Sequence, residues 1–168
     1  MIAHINIGSN IGDRLGIITR AVACVLDLSD LGVGRFSTPV TSHPQGFESP
    51  NDFINVGIEV ATSLSPVDLI HSLQAIEKKI APAPHRDADG NYIDRALDID
   101  LICIDDLVID IPGLTIPHPR MSQREFVLRP LNRLSPSWRH PVTGLTPSDM
   151  LSLLPSNKNK TKKNRRNG

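Results

Sequence analysis

Between Arg95 and Ile102 the chain reads Arg-Ala-Leu-Asp-Ile-Asp-Leu-Ile, a run apolar enough for a buried strand yet interrupted by two carboxylates two residues apart. An extended backbone turns successive side chains to opposite faces. Asp98 and Asp100 therefore share one face, and Leu97, Ile99 and Leu101 share the other. At roughly 7 Å between Cα atoms, two like charges repel unless a cation or a guanidinium neutralises them. A hard, oxygen-seeking ion suits the pair. Mg²⁺ held by one or two carboxylates and by substrate phosphates is the usual arrangement in phosphoryl-transfer sites, and the Arg95 fork suits phosphate oxygens. An amphipathic edge strand with a wet acidic face explains the same residues, and this segment alone leaves both readings open.

The rest of the pattern sets that strand in an α+β chain. Ile2 to Ile7 alternates as a strand and ends at a Gly8-Ser9-Asn10 corner. Leu15, Ile18, Val22, Val25 and Leu26 then recur at helical spacing. A second extended stretch covers Gly34 to Thr41, a Pro and Gly loop follows around Pro44-Gln45-Gly46, and Asp52 to Ala61 alternates again. Ser65-Pro66-Val67-Asp68 supplies an N-cap, a first-turn proline and an acid at N3 for a helix striped by Leu69, Leu73, Ile76 and Ile80. Pro82 and Pro84 end it. A polar loop to Asp94 leads into the acidic strand and a short return strand at Leu107 to Ile109. The order β-α-β-β-α-β predicts a ferredoxin-like antiparallel sheet with helices on one side. Short helices near Met121 to Arg133 and Pro147 to Leu154 follow it.

With 168 residues the chain makes one domain with a core of ordinary size. Cys24 and Cys103 have no CxxC spacing and read as small hydrophobes in a reducing compartment, the cytoplasm being the simplest. No apolar run is long enough to cross a membrane, and no signal-peptide pattern opens the chain. The 18 basic and 18 acidic residues balance, but residues 155–168 hold six of the basic ones and no acid. The pattern predicts a folded body over 1–154, net acidic, and a basic, disordered tail over 155–168. A nucleic-acid-binding module using that tail is the competing class. With only 4% aromatic residues, its strands lack the clustered rings that stack bases.

Other constellations gain meaning beside the acidic pair. Phe53 and Asn55 share a strand face, where a ring and an amide can hold a flat heterocycle; a core Phe with a turn-facing Asn is the plainer explanation. Gln74 and Glu77 share a helix face, which by itself means only an exposed polar side. Ile116-Pro117-His118-Pro119-Arg120 is a rigid corner displaying a His and an Arg, followed by Arg124 and Phe126.

Ile7-Gly8-Ser9-Asn10, Phe53-Ile54-Asn55, Gln74-Ala75-Ile76-Glu77, Arg95-Ala96-Leu97-Asp98-Ile99-Asp100, Pro117-His118 and Arg124-Glu125-Phe126 occur in that order. Together they resemble the 6-hydroxymethyl-7,8-dihydropterin pyrophosphokinases of folate biosynthesis, over about Met1 to Pro141. The resemblance implies a ferredoxin-like fold and transfer of pyrophosphate from ATP to the pterin hydroxymethyl group with release of AMP. It makes Asp98 and Asp100 the ligands of two Mg²⁺ ions, and Arg95 the charge that stabilises the moving group. It sets His118 and Arg124 on the triphosphate, with Gln74, Glu77, Ile70, Leu101 and Thr115 around the adenosine. Phe53 and Phe126 would sandwich the pterin, Asn55 would bond its edge, and Gly8, Ser42, Pro44 and Gln45 would close the pocket. A monomer acting on small molecules, with neither nucleic acid nor membrane as partner, is implied as well.

The loop before the acidic strand departs from the family. Where its members carry several arginines and an Arg-Trp-Gly-Pro-Arg segment, this chain has His85-Arg86-Asp87-Ala88-Asp89-Gly90-Asn91-Tyr92-Ile93-Asp94-Arg95. Tyr92 is the candidate lid in place of the Trp, and Arg86, with His85 behind it, is the candidate for the loop's catalytic cation. Asp87, Asp89 and Asp94 would oppose closure over a triphosphate. Gly113 stands where the family often has an arginine. A pterin binder with weakened catalysis is therefore the alternative within the family.

Overall fold

The computed structural model describes residues 1–155. Its elements are β1 (Ile2–Ser9), α1 (Arg14–Leu26), β2 (Gly34–Phe36), β3 (Val40–Ser42), β4 (Phe53–Ala61), α2 (Pro66–Ile80), β5 (Asp98–Ile104), β6 (Ile109–Ile111), β7 (Leu114–Ile116), α3 (Glu125–Leu134) and α4 (Pro147–Leu153). A 3₁₀ turn at Met121–Gln123 precedes α3. In the main sheet β1 lies between β4 and β5, and both β2 and β3 pair with the far side of β4. Every pairing is antiparallel, and the order is that of the ferredoxin-like arrangement.

Local chemistry sets the helix starts. The Asp13 carboxylate accepts the Gly16 N–H at 3.1 Å and opens α1. The Ser65 hydroxyl accepts the Asp68 N–H at 3.1 Å and opens α2, with Pro66 in the first turn and Lys78 and Lys79 in the last. Apolar packing then fixes the layers. Ala3, Ile5 and Ile7 of β1 and Val56, Ile58 and Val60 of β4 pack with Ile18, Ala21 and Val25 of α1 and with Leu69 and Leu73 of α2. The opposite face is covered as well. Ile102, Cys103, Met121, Val127, Leu128, Leu131 and Met150 form a second cluster under α3 and α4.

A bulge in β5 serves both faces. His4 pairs with Cys103 but Ile5 pairs with Leu101, so Ile102 is the extra residue. Neighbouring Ile102 and Cys103 thus both pack under α3, whereas Leu101 and Ile104 join the core beneath α1 and α2. Glycine at position 57 lets α3 approach: a Cβ there would meet Pro130 Cβ at 2.5 Å. Farther along this face, buried His4 holds Glu59 at 2.9 Å, and Glu59 also accepts from Arg35 Nε at 2.9 Å and from the Ser135 hydroxyl.

The two core helices, α1 and α2, lie on one side of the sheet as expected, and the carboxyl-terminal helices α3 and α4 cover its other face over a separate apolar cluster. Several expectations are corrected. Leu15 is 56% exposed and belongs to no core stripe; Ile17 takes the buried place. The stretch Gly34 to Thr41 divides into β2 and β3 around Pro39, which has no N–H to give a ladder. The return strand begins at Ile109 and pairs with β7 as a separate hairpin, outside the main sheet. The basic tail lies, beyond Pro155, outside the described residues.

Candidate active site

Register puts the acidic pair on the sheet face that α3 covers. Asp98 stands opposite Gly8 and Asp100 opposite Asn6; on the other side of β1, Asn55 pairs with Gly8 and Gly57 with Asn6. Two arginines answer the acids. Arg95 Nη2 donates to Asp98 Oδ2 at 2.6 Å, and Arg124 Nη1 donates to Asp100 Oδ2 at 3.0 Å. Burial, then the neighbouring Asp98, pushes the Asp100 carboxyl up to about 6 against the pull of Arg124. Glu77 of α2 joins them, its Oε2 accepting the Ile99 N–H at 2.7 Å. Burial and the two aspartates push Glu77 up to about 7. Three carboxylates thus converge with incomplete neutralisation, which is the donor chemistry of a hard-cation site.

The corner Gly8-Ser9-Asn10 locks the approach to this strand. Asn10 Oδ1 accepts the Arg95 N–H at 2.8 Å, and its Nδ2 donates to Asp94 at 2.6 Å. Asn51 holds the other Asp94 oxygen at 2.6 Å. Asp87 turns into its own hairpin, accepting the N–H groups of Asp89 and Asn91 at 3.0 and 2.9 Å. Two of the three loop acids that would oppose a triphosphate are therefore engaged within the fold. Arg86 is engaged too: its guanidinium lies 3.8 Å from the Tyr92 ring centre and donates to the Gly90 carbonyl at 2.6 Å. Arg120 donates to the Tyr92 hydroxyl at 3.2 Å.

One cavity collects residues far apart in sequence: Asn6, Ser42, Gln45, Phe53, Asn55, Arg95, Asp98, Arg124 and Phe126, with His43 at its edge. Gly8 leaves room for two of the lining side chains rather than lining the cavity itself, since a Cβ there would lie 3.0 Å from Asn55 Oδ1 and 3.4 Å from Phe53. Asn55 Nδ2 donates to Ser42 Oγ at 3.0 Å and to the Val40 carbonyl at 3.3 Å, tying β3 to the cavity wall. Pro44 lines the open grooves next to it rather than the cavity itself. Among the described residues, buried Asn6 Oδ1 and Arg95 Nε have no hydrogen-bond partner. Both border the same cavity, and unpaired buried polar atoms there suit a ligand rich in donors and acceptors.

The other candidates divide by burial. His118 is half-buried, and its Nδ1 accepts the Arg120 N–H at 3.1 Å. Burial, with Arg124 and Arg120 nearby, lowers its pKa to about 4, so a neutral ring offers Nε2–H as a donor. Gln74 is exposed on α2 and Ile70 half-buried. Thr115 is exposed on β7 and donates to Asp110 at 3.1 Å. Leu101 is 4% exposed, which leaves its backbone, on an edge strand, for any ligand contact. Asn6 and His43 were not singled out by the sequence as contributors to the site, and Arg120 was noted only as part of the proline-flanked corner. Asn6 had one legible signal, an amide inside an apolar strand in phase with Gly8.

A ferredoxin-like sheet carrying converged carboxylates, facing arginines and an aromatic and amide cavity defines a transferase of phosphorylated substrates. The comparisons make this specific. The family model for 7,8-dihydro-6-hydroxymethylpterin-pyrophosphokinase matches residues 4–136, and the chain belongs to that family. It is 36% identical over 144 residues to the 2-amino-4-hydroxy-6-hydroxymethyldihydropteridine pyrophosphokinase of Porphyromonas gingivalis, covering 83% of this chain and 94% of that one. With the Bacillus subtilis enzyme of the same name it shares 35% identity over 130 residues, 77% of this chain and 75% of the other. The solved Plasmodium falciparum HPPK-DHPS with pteroate superposes with a TM-score of 0.68 at 14% identity, over 90% of this chain and 44% of that one. The activity is thus pyrophosphate transfer to a hydroxymethyldihydropterin in folate synthesis, as the resemblance implied.

Proposed function

We propose that the chain transfers the β,γ-pyrophosphoryl group of ATP to 6-hydroxymethyl-7,8-dihydropterin with two Mg²⁺ ions. The pterin hydroxyl gives up its proton to solvent as its oxygen bonds to the β-phosphorus, the bond from that phosphorus to the α,β-bridging oxygen breaks, and AMP leaves. One observation carries the reading: Asp98 lines the same cavity as Phe53, Asn55 and Phe126, so the acidic and ring-binding groups meet. The donor set fits the ions, because the Arg95 and Arg124 bonds leave Asp98 Oδ1 and Asp100 Oδ1 for coordination. When bound, Mg²⁺ would supply charge neutralisation and alignment of the phosphates.

Asp98 and Asp100 hold the cations, and Arg95 faces the migrating group. Arg124 and neutral His118 bind the triphosphate. Phe53 and Phe126 take the two faces of the pterin, with Asn55 and Asn6 at its edge. Gln74, Glu77, Ile70, Thr115 and the Leu101 backbone surround the adenosine. Tyr92 acts as the lid, and Arg86 reaches the phosphates when it leaves the Tyr92 ring. Its engagement with Tyr92 and Gly90 favours the second reading, a pterin binder with slow turnover. We place the protein in the cytoplasm as a monomer; two free cysteines, one fully buried, fit a reducing compartment.

Following AMP from protein, Mg²⁺, ATP and the dihydropterin separates the readings. Sustained AMP formation is expected for the enzyme, and pterin binding with AMP formed only slowly or not at all for the weakened homologue. Asp98→Ala and Asp100→Ala should each abolish AMP release while leaving the circular dichroism spectrum unchanged. Wild-type turnover in either variant would contradict the metal assignment.

A further inference from the structure

We propose that Glu77, His85 and Asp98 form a further cation position, suited to a divalent transition-metal ion such as Mn²⁺, Co²⁺ or Zn²⁺, that shares Asp98 with the Asp98 and Asp100 pair. One donor atom from each of the three residues lies within 4.8 Å of the other two. The orientation of each carboxylate is already fixed by its other oxygen. Glu77 Oε2 accepts the Ile99 N–H, and Asp98 Oδ2 accepts from Arg95. Of the two remaining oxygens, Glu77 Oε1 lies 3.6 Å from His85 Nε2 and Asp98 Oδ1 lies 3.7 Å from His85 Nδ1.

Those separations are too long for direct hydrogen bonds. With one nitrogen taken as the donor, the three donor atoms lie within 4.8 Å of one another, against the roughly 3.4 Å that separates donors around a tetrahedral ion with bonds of about 2.1 Å. One ring nitrogen would coordinate, and a contraction of about 1 Å across the cluster closes the shell. Two carboxylates balance a divalent charge. A nitrogen donor among oxygens shifts preference away from Mg²⁺ toward transition ions.

His85 enters from the loop in which this chain departs from its family, and that loop is a small hairpin closed by an Arg86 to Tyr92 bridge. The ion would join this hairpin to α2 and β5, next to the reacting phosphates. The position shares Asp98 with the Asp98 and Asp100 pair, whereas His85 belongs to it alone, so substitution of His85 tests it without touching that pair.

Metal-free full-length protein is titrated with Co²⁺ alone, without nucleotide, and visible ligand-field bands are followed; Mn²⁺-loaded protein is examined by electron spin-echo modulation. Wild type is expected to bind one Co²⁺ with visible bands and to show coupling to a coordinated nitrogen. His85→Gln should weaken Co²⁺ on the order of 10- to 100-fold and lose that coupling, at an unchanged melting temperature. Asp100→Asn should keep both signals. Equal Co²⁺ affinity in wild type and His85→Gln would overturn the assignment, as would wild-type Mn²⁺ without nitrogen coupling. Loss of AMP formation with Co²⁺ binding intact would count against the catalytic reading and leave this site standing.

Discussion

At the residue scale, Asp100 and Glu77 turn a cost of folding into a demand for a ligand. Both carboxyls have folded pKa values, about 6 and about 7, above their ordinary 3.8 and 4.5. A raised carboxyl stabilises the fold at low pH, and that contribution is lost as pH rises through the folded value. The protein without cations therefore loses stability between about pH 4 and 7 from these two groups. A bound cation offsets the loss only when they are ionised. Mg²⁺ with a nonhydrolysable ATP analogue is expected to raise the melting temperature more at pH 8 than at pH 5.5. Equal shifts by scanning fluorimetry would remove these carboxylates from the cation site. Phe126→Ala should weaken pterin binding about tenfold or more, from lost aromatic area, and leave the nucleotide nearly unaffected by calorimetry. Period-two alternation made Asp98, Asp100, Phe53 and Asn55 legible in the sequence. The same rule could not show that Asn6 lies between Asp100 and Gly57, because register across strands is not written in any one of them.

At the scale of elements, α3 is the least legible and the most consequential. It brings Arg124 and Phe126 over the acidic face, and its approach rests on the absent side chain of Gly57. Gly57→Val is expected to cost about 1–3 kcal/mol by overpacking against Pro130. It should also raise KM for the pterin more than for ATP, as steady-state kinetics would show; equal changes would mean that α3 does not set the cavity. By contrast, α2 was fully legible, since its Ser65 cap, Pro66 and apolar stripe are all local signals. The break at Pro39 and the bulge at Ile102 were not. Both depend on what a strand must match in its neighbour.

Across the whole molecule the sheet separates two environments, with an apolar layer beneath α1 and α2 and a mixed face beneath α3. The mixed face begins as a site and ends as a buried polar cluster. There, desolvation outweighs the attraction of Glu59 and lowers the His4 pKa to about 4 from 6.5. A depressed histidine keeps the fold stable above the unfolded pKa, and stability falls as pH drops, because the unfolded chain takes the proton first. The stability gap between wild type and His4→Gln should narrow by about 1–3 kcal/mol from pH 6.5 to 4, read from urea midpoints. A constant gap would mean that His4 does not titrate differently in the two states.

The sequence alone determined the order of strands and helices, the placing of both aspartates on one face and the family motif, because each rests on periodicity or spacing within a short segment. Only the tertiary structure decided that a second helical layer covers the sheet, that Asn10 anchors the loop and that His85 meets Glu77 and Asp98. These depend on cross-strand register and on the close packing of distant segments, which no local pattern encodes.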